Sequence, residues 1–283
     1  MIRTILKHEF IRTRGMLAAI FGAAIAGVAL GSLVVASRIP ILSELGVVLV
    51  FILPIVLTPV TQIAIAIDFW RSSFRAAGYL THAIPVKGST IFWAKLLWSM
   101  IATVAAILVM LPLAALSWFV LASTPSAQML GTIEANPFKA AAALLDLVTT
   151  MMPMPILLGV MLPLLIVLII QWPVYYAFVA SVGSQGSFGR MGVGGPILVG
   201  FIAYVGGEII SLLSVFAVPF GIDFAAQLHG GQFSIVKYNL VQTIVEGHNT
   251  AVMPLGVYLS AVILLTTCLW LTHRSWNRHV SLN

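Results

Sequence analysis

The chain has 283 residues, 60% of them hydrophobic and 8% charged, with a formal net charge of +6 and a mean hydropathy of +1.09. A soluble globular domain carries about 25% charged residues, so the composition excludes a water-soluble enzyme or binding module. Continuous apolar runs of about 20 residues point instead to an all-α membrane protein that crosses the bilayer several times, because non-alternating runs suit helices rather than a closed barrel. The single cysteine, Cys268, cannot form a disulfide within the chain and reads as a small apolar residue of the last run.

Residues 1–14 place Ile2, Ile5, Leu6 and Phe10 at helical spacing, with Arg3, Lys7 and Arg14 elsewhere on the wheel. That pattern predicts a short amphipathic helix lying in the headgroup layer. The run 15–37 exceeds the roughly 7–15 apolar residues of a signal-peptide core and reads as the first span. Two ladders of small residues run along it, Ala18, Gly22 and Ala26 on one and Ala23, Gly27 and Gly31 on the other. Such ladders let backbones approach closely, either within the chain or between subunits.

A tight outer turn at 38–44 leads to the second span, 45–67, with kinks expected at Pro54 and Pro59. A charged, aromatic-rich segment occupies 68–91, and the third span covers 92–121 with Pro112 inside it. A polar loop follows, then a short helical pattern at 137–150 expected at the outer surface. The fourth span, 151–182, carries four prolines, and the glycine-rich stretch 183–195 is expected to be a flexible inner loop. The fifth and sixth spans are 196–219 and 252–271. Between them, 221–249 carries a helical stripe (Phe233, Val236, Leu240 and Ile244) that predicts an outer helix lying on or dipping into the leaflet. The whole chain, 1–283, reads as one transmembrane domain, without the internal repeat that marks many secondary transporters.

Six spans put both termini on one side. That side holds Arg3, Lys7, Arg12, Arg14, Arg71, Arg75, Lys87, Lys95, Arg190, Arg274 and Arg278, against Arg38, Lys139 and Lys237 on the other. The asymmetry predicts cytoplasmic termini. It accounts for the net positive charge through orientation and contact with membrane lipid rather than nucleic acid.

Catalytic signatures are absent. No Gly-Lys dipeptide occurs, so there is no phosphate-cradling loop. The histidines lack the spacing of a zinc helix, and no Gly-x-Ser-x-Gly elbow is present. The chain is therefore not expected to be an enzyme, nor to bind a metal or cofactor of its own. Glu208 stands apart, inside the fifth span. A mid-membrane carboxylate costs on the order of 2.5–3.5 kcal/mol, so it should face a bundle interior, a water-filled path or a partner. It is a candidate pathway or gate residue, a proton site, or a packing group.

The segment 68–91 carries the strongest functional signal. Arg71 to Leu80 predicts a short cytoplasmic helix, stopped before Pro85, with Ser89 and Thr90 capping the next span. Joined rigidly to two spans, such a helix is a lever. Gly78-Tyr-Leu-Thr-His-Ala-Ile-Pro-Val-Lys-Gly-Ser, with Ala94-Lys-Leu-Leu after it, resembles the Gly-Tyr-Leu…Leu-Pro-Val-Ser…Lys-Leu pattern of bacterial ATP-binding-cassette permeases of the type-2 class. Ile84 replaces the usual leucine, and Lys87-Gly88 stands where small hydroxyl residues are common.

The resemblance implies an export permease subunit in the plasma membrane. It implies pairing with a second permease half, identical or different, and with two ATPase subunits that hold ATP and Mg. Arg71, Ser72, Phe74, Arg75, Tyr79 and Leu80 would form the coupling helix seated on the ATPase. Alternative readings are a proton-coupled secondary transporter using Glu208 and a non-transporting membrane anchor of an ATPase.

Overall fold

The computed structural model describes residues 2–75, 78, 85–124, 134–151, 154–223, 234–246 and 252–278. Six helices among the described residues are long and apolar enough to cross a membrane: α1 (Ile2–Ala36), α2 (Pro40–Phe74), α3 (Gly88–Ala122), α5 (Met154–Val182), α7 (Gly194–Ala217) and α9 (Gly256–Arg278). This is the architecture of a multi-pass helical membrane protein. Shorter helices α4 (Pro137–Met151), α6 (Gly186–Gly189) and α8 (Leu240–Glu246) lie between them. The chain divides into two compact units, one of Met1–Phe69 with Thr90–Asp146 and one of Trp70–Ser89 with Leu147–Asn283.

In the first unit, α1, the body of α2 and α3 pack side by side. Leu17, Ile65, Trp98 and Ala102 form one buried cluster; Ala24, Val28, Leu57 and Leu113 form another further along α1. A Cβ on Gly27 would lie 2.5 Å from the Leu53 side chain, and one on Gly31 would lie 2.8 Å from Val50. The Gly27 and Gly31 ladder is thus the intrachain seam between α1 and α2. Gly22 of the other ladder faces open space. Pro54 has no N–H to offer the carbonyl of Val50 four residues back, and the Ser117 hydroxyl of α3 donates to that carbonyl instead (2.7 Å). The carbonyl freed by the proline is thereby satisfied across helices. Asn136 starts α4 by accepting from the backbone N–H groups of Phe138 (3.0 Å) and Lys139 (3.3 Å), with Pro137 at the first helical position.

The second unit is built on α5, α7 and α9. The Tyr175 hydroxyl donates to the Gly200 carbonyl at 2.6 Å, and Gly207 lets Leu264 approach α7. Cys268 is buried in α9, in keeping with its apolar role.

Several boundaries differ from expectation. Residues 2–14 are the first turns of α1, which runs unbroken through Gly15 to Ala36, so no break separates an interfacial helix from the first span. α2 likewise continues through Arg71 to Phe74, so the charged residues mark a change of surroundings and not the end of a helix. The expected helical stripe at 221–249 resolves differently. Strands β1 (Phe220–Asp223), β2 (Ser234–Lys237) and β3 (Val252–Pro254) form an antiparallel sheet in the order β2-β1-β3, which a purely all-α class omits. The β-branched pair Ile235-Val236 sits opposite Ile222 and Gly221 in that sheet. Only Leu240 and Ile244 of the stripe are helical, in α8; Phe233 lies outside the described residues.

Candidate functional site

In the first unit four charges meet at the end where α1 begins. Spacing on α1 puts Glu9, Arg12 and Thr13 on one face, at i, i+3 and i+4. Antiparallel α2 brings Asp68, near its C-terminal end, to the same level, and α3 brings Lys95 from its second turn. Lys95 Nζ lies 3.0 Å from Glu9 Oε1, with side chains only 2% and 7% exposed. Arg12 bridges the two acids: Nη1 donates to Glu9 Oε1 at 3.0 Å, and Nη2 lies 2.5 Å from Asp68 Oδ2. Arg12 Nε donates to Asp68 Oδ1 at 3.3 Å. Two acids and two bases leave the node with no formal net charge.

Its surroundings hold it in place. Lys95 Nζ stands 5.9 Å from the Phe69 ring centroid. The Trp98 indole N–H donates to Thr13 Oγ1 (3.1 Å), and the Thr13 hydroxyl donates to the Glu9 carbonyl (2.9 Å). Phe10 meets Trp98 edge-to-face at 5.7 Å. Because a buried ion pair owes its survival to good geometry and to further hydrogen bonds, this shell locks the three helices in one register. Sequence reading counted Arg12 and Lys95 only among the cations on the side of the termini and missed the node. A signal existed: Glu9 and Asp68 are the two acids in the otherwise cationic segments, and both end up here.

The residues expected to couple to an ATPase fall in the second unit. Ser72 and Phe74 are buried on the last turn of α2, while Arg71 and Arg75 are exposed. Tyr79 and Leu80 lie outside the described residues. The turn is held from several sides. The Trp70 indole N–H donates to Ser184 Oγ (2.9 Å), and the Arg75 guanidinium lies 4.5 Å above the Trp70 ring. Phe74 packs edge-to-face on Trp276 at 5.6 Å. The Trp276 indole N–H in turn donates to Ser181 Oγ (3.0 Å), and Gln185 hydrogen-bonds Ser275.

The stretch 183–195, expected to be a flexible inner loop, is close-packed at its two ends, Gly183 and Gly195, while Gly186 between them meets nothing within 4 Å. α6 sits inside it, and a Cβ on Gly183 would come within 2.5 Å of Pro196 Cα. Gly195 is buried against the carbonyl oxygens of Gly183 and Phe188. Glycine here permits close backbone approach, which composition alone cannot tell from looseness.

Glu208 is not drawn into either cluster. It lies exposed on α7, with Tyr204 one turn earlier as its interacting neighbour. At about 1.5 Å per residue it stands roughly 21 Å along the helix from Gly194. Among the described residues no group of three or more histidine, cysteine or acidic side chains is placed to hold a metal. Compared with known proteins, the chain matches no family model, no curated protein and no solved structure.

Proposed function

We propose that the chain is the membrane-embedded subunit of an exporter of the ATP-binding-cassette type, moving a peptide, drug or lipid-like substrate across the plasma membrane. ATP and Mg would be held by two copies of a separate ATPase subunit, and a second permease half would complete the pathway. Both termini are then cytoplasmic. The supporting observation is the end of α2: Arg71 on its last turn and Arg75 just beyond it are exposed, while Ser72 and Phe74 are buried. Its ties through Trp70 to Ser184 and through Phe74 to Trp276 make it a stiff cationic knob. A force on a stiff turn moves helices, whereas a force on a loose loop is dissipated. The sequence likewise has no phosphate loop of its own, as a division of labour requires.

Charge reversal at Arg71 and Arg75 together (Arg71→Glu, Arg75→Glu) is expected to cut co-purification of an ATPase from native cells by tenfold or more, while the chain still inserts in the membrane. Undiminished co-purification of an ATPase, or no ATPase with the unaltered chain, would remove this reading.

The exposure of Glu208 within an apolar helix keeps a gradient-driven transporter as a second reading. Under it, collapsing the proton gradient stops transport in reconstituted vesicles, and Glu208→Gln does the same without loss of assembly. Transport that persists without a gradient and requires ATP rejects it. The third alternative, a non-transporting anchor, predicts ATPase binding with no transport at all.

A further inference from the structure

We infer that the exposed face of α7 carrying Phe201, Tyr204 and Glu208 binds a lipophilic organic cation, an amine or onium group on an apolar body. At 3.6 residues per turn these three positions fall within about 60° of one another. Phe201 and Tyr204 are 65% and 60% exposed, and Glu208 is exposed with them. The packed face of α7, with Val199, Gly207 and Ser214, lies on a separate arc.

Position rules out the ordinary ways of settling an acid in a bilayer. From Glu208 to the helix ends at Ala217 and Gly194 the rise is about 13 and 21 Å. A glutamate side chain is too short to reach a headgroup layer from there, unlike the long stems of lysine and arginine. Nor do the helices of this bundle supply a cation. α5 and α7 contain no lysine or arginine, and those of α9 are Arg274 and Arg278. Gly207 faces Leu264 of α9, which puts the nearer one, Arg274, about 15 Å farther along that helix. Tyr204 interacts with the carboxyl group, but a phenol hydroxyl donates one hydrogen bond and brings no charge.

The occupant follows from charge. A carboxylate left uncompensated within the hydrocarbon costs on the order of 2.5–3.5 kcal/mol, and a positive group beside it removes much of that cost. A second copy of the chain laid on this face by two-fold symmetry brings another Glu208 and no lysine or arginine of α7, so repulsion would add to the cost. A phospholipid amine stays in the headgroup layer. A small cation on an apolar body meets each requirement. It partitions into the hydrocarbon, pairs with Glu208, and sets its charge against the Tyr204 ring. Exposed Phe201, Val205 and Leu212 on the same face receive its apolar part. The inference rests on the transporter reading and names a substrate class for it, yet the binding it predicts needs no ATPase.

The test is equilibrium dialysis of the full chain, purified in mild detergent, against tetraphenylphosphonium and tetraphenylborate, two ions of like shape and opposite charge. The native chain is expected to bind the phosphonium about tenfold or more tightly than the borate. Glu208→Gln should lower phosphonium affinity by about tenfold or more and leave borate binding unchanged. Tyr204→Phe, which removes one hydrogen bond to the carboxylate, should lower it by about threefold. Glu44→Gln, which removes an exposed acid near the start of α2, should bind as the native chain does. Should Glu208→Gln fail to fold, melting temperatures carry the test. The phosphonium must then raise that of the native chain and the borate must not, and Tyr204→Phe must lessen the rise. Equal phosphonium affinity in the native chain and Glu208→Gln overturns the site, as does an equal loss in Glu44→Gln. So does a native chain that binds neither ion or both alike; if that chain still co-purifies with an ATPase, the site falls and the permease reading stands.

Discussion

Replacing Glu9 by Gln is expected to destabilise the chain by about 3–5 kcal/mol, the usual cost of removing one partner from a buried ion pair. The substitution keeps the shape but takes away the carboxylate 3.0 Å from Lys95 Nζ. Lys95 would remain at 2% exposure with that attraction gone. Lys95→Met should cost less, because Arg12 still holds Glu9 and a methionine of similar length fills the space. The double variant is expected to recover most of the loss, since two well-packed neutral groups avoid the desolvation of two charges. Unfolding midpoints of the four chains in detergent give the coupling energy. Losses that simply add to within about 0.5 kcal/mol would show that Glu9 and Lys95 do not act as a pair.

Gly195→Ala is the second large effect. The added methyl would press on the backbone carbonyls of Gly183 and Phe188, which cannot rotate away as a side chain can. Overpacking ordinarily costs about 1–3 kcal/mol; with backbone on both sides the loss should reach the top of that range or pass it. The damage has a direction. Ser184 and Gln185 leave Gly183 toward Trp70 and Ser275, so displacing the turn loosens the support of Arg75 and Phe74. Under the proposed pairing with an ATPase, co-purification of that partner should fall together with the melting temperature. Gly22→Ala, with nothing within 4 Å of the new Cβ, serves as the contrast. In a helix interior it is expected to stabilise by about 0.5–1 kcal/mol. If Gly195→Ala melts like the native chain, the turn is not the close-packed support that its geometry indicates.

The two charged regions were unequally legible in the sequence. Arg71 and Arg75 stand out because a cation cluster beside aromatics is a local pattern. The node was hidden because its members lie 56 and 86 positions apart: Arg12 with Asp68, and Glu9 with Lys95. Each helix announces only a polar residue near its end, and the pairing exists only once three helices align. Glycine was misleading in the same way. Residues 183–195 read as flexible because glycine lowers propensity everywhere, yet here the missing side chains allow backbone to meet backbone. At 221–249 the spacing suited a helix, but pairing with Phe220–Asp223 supplied a ladder that turned Ser234–Lys237 into a strand.

The amino-acid sequence by itself determined that six helices are long and apolar enough to cross a membrane, because a span is set by local hydrophobicity against a fixed bilayer thickness. It also determined which residues share a helix face, since 3.6 residues per turn is a property of the backbone. Only the tertiary structure decided what each face meets. It set the Gly27 and Gly31 ladder against α2 and left Gly22 open. It handed the Val50 carbonyl freed by Pro54 to Ser117, 67 residues away, and it joined Glu9 to Lys95. Those choices depend on close packing and on satisfying buried polar groups across distant segments, and neither is a property of any single stretch of chain.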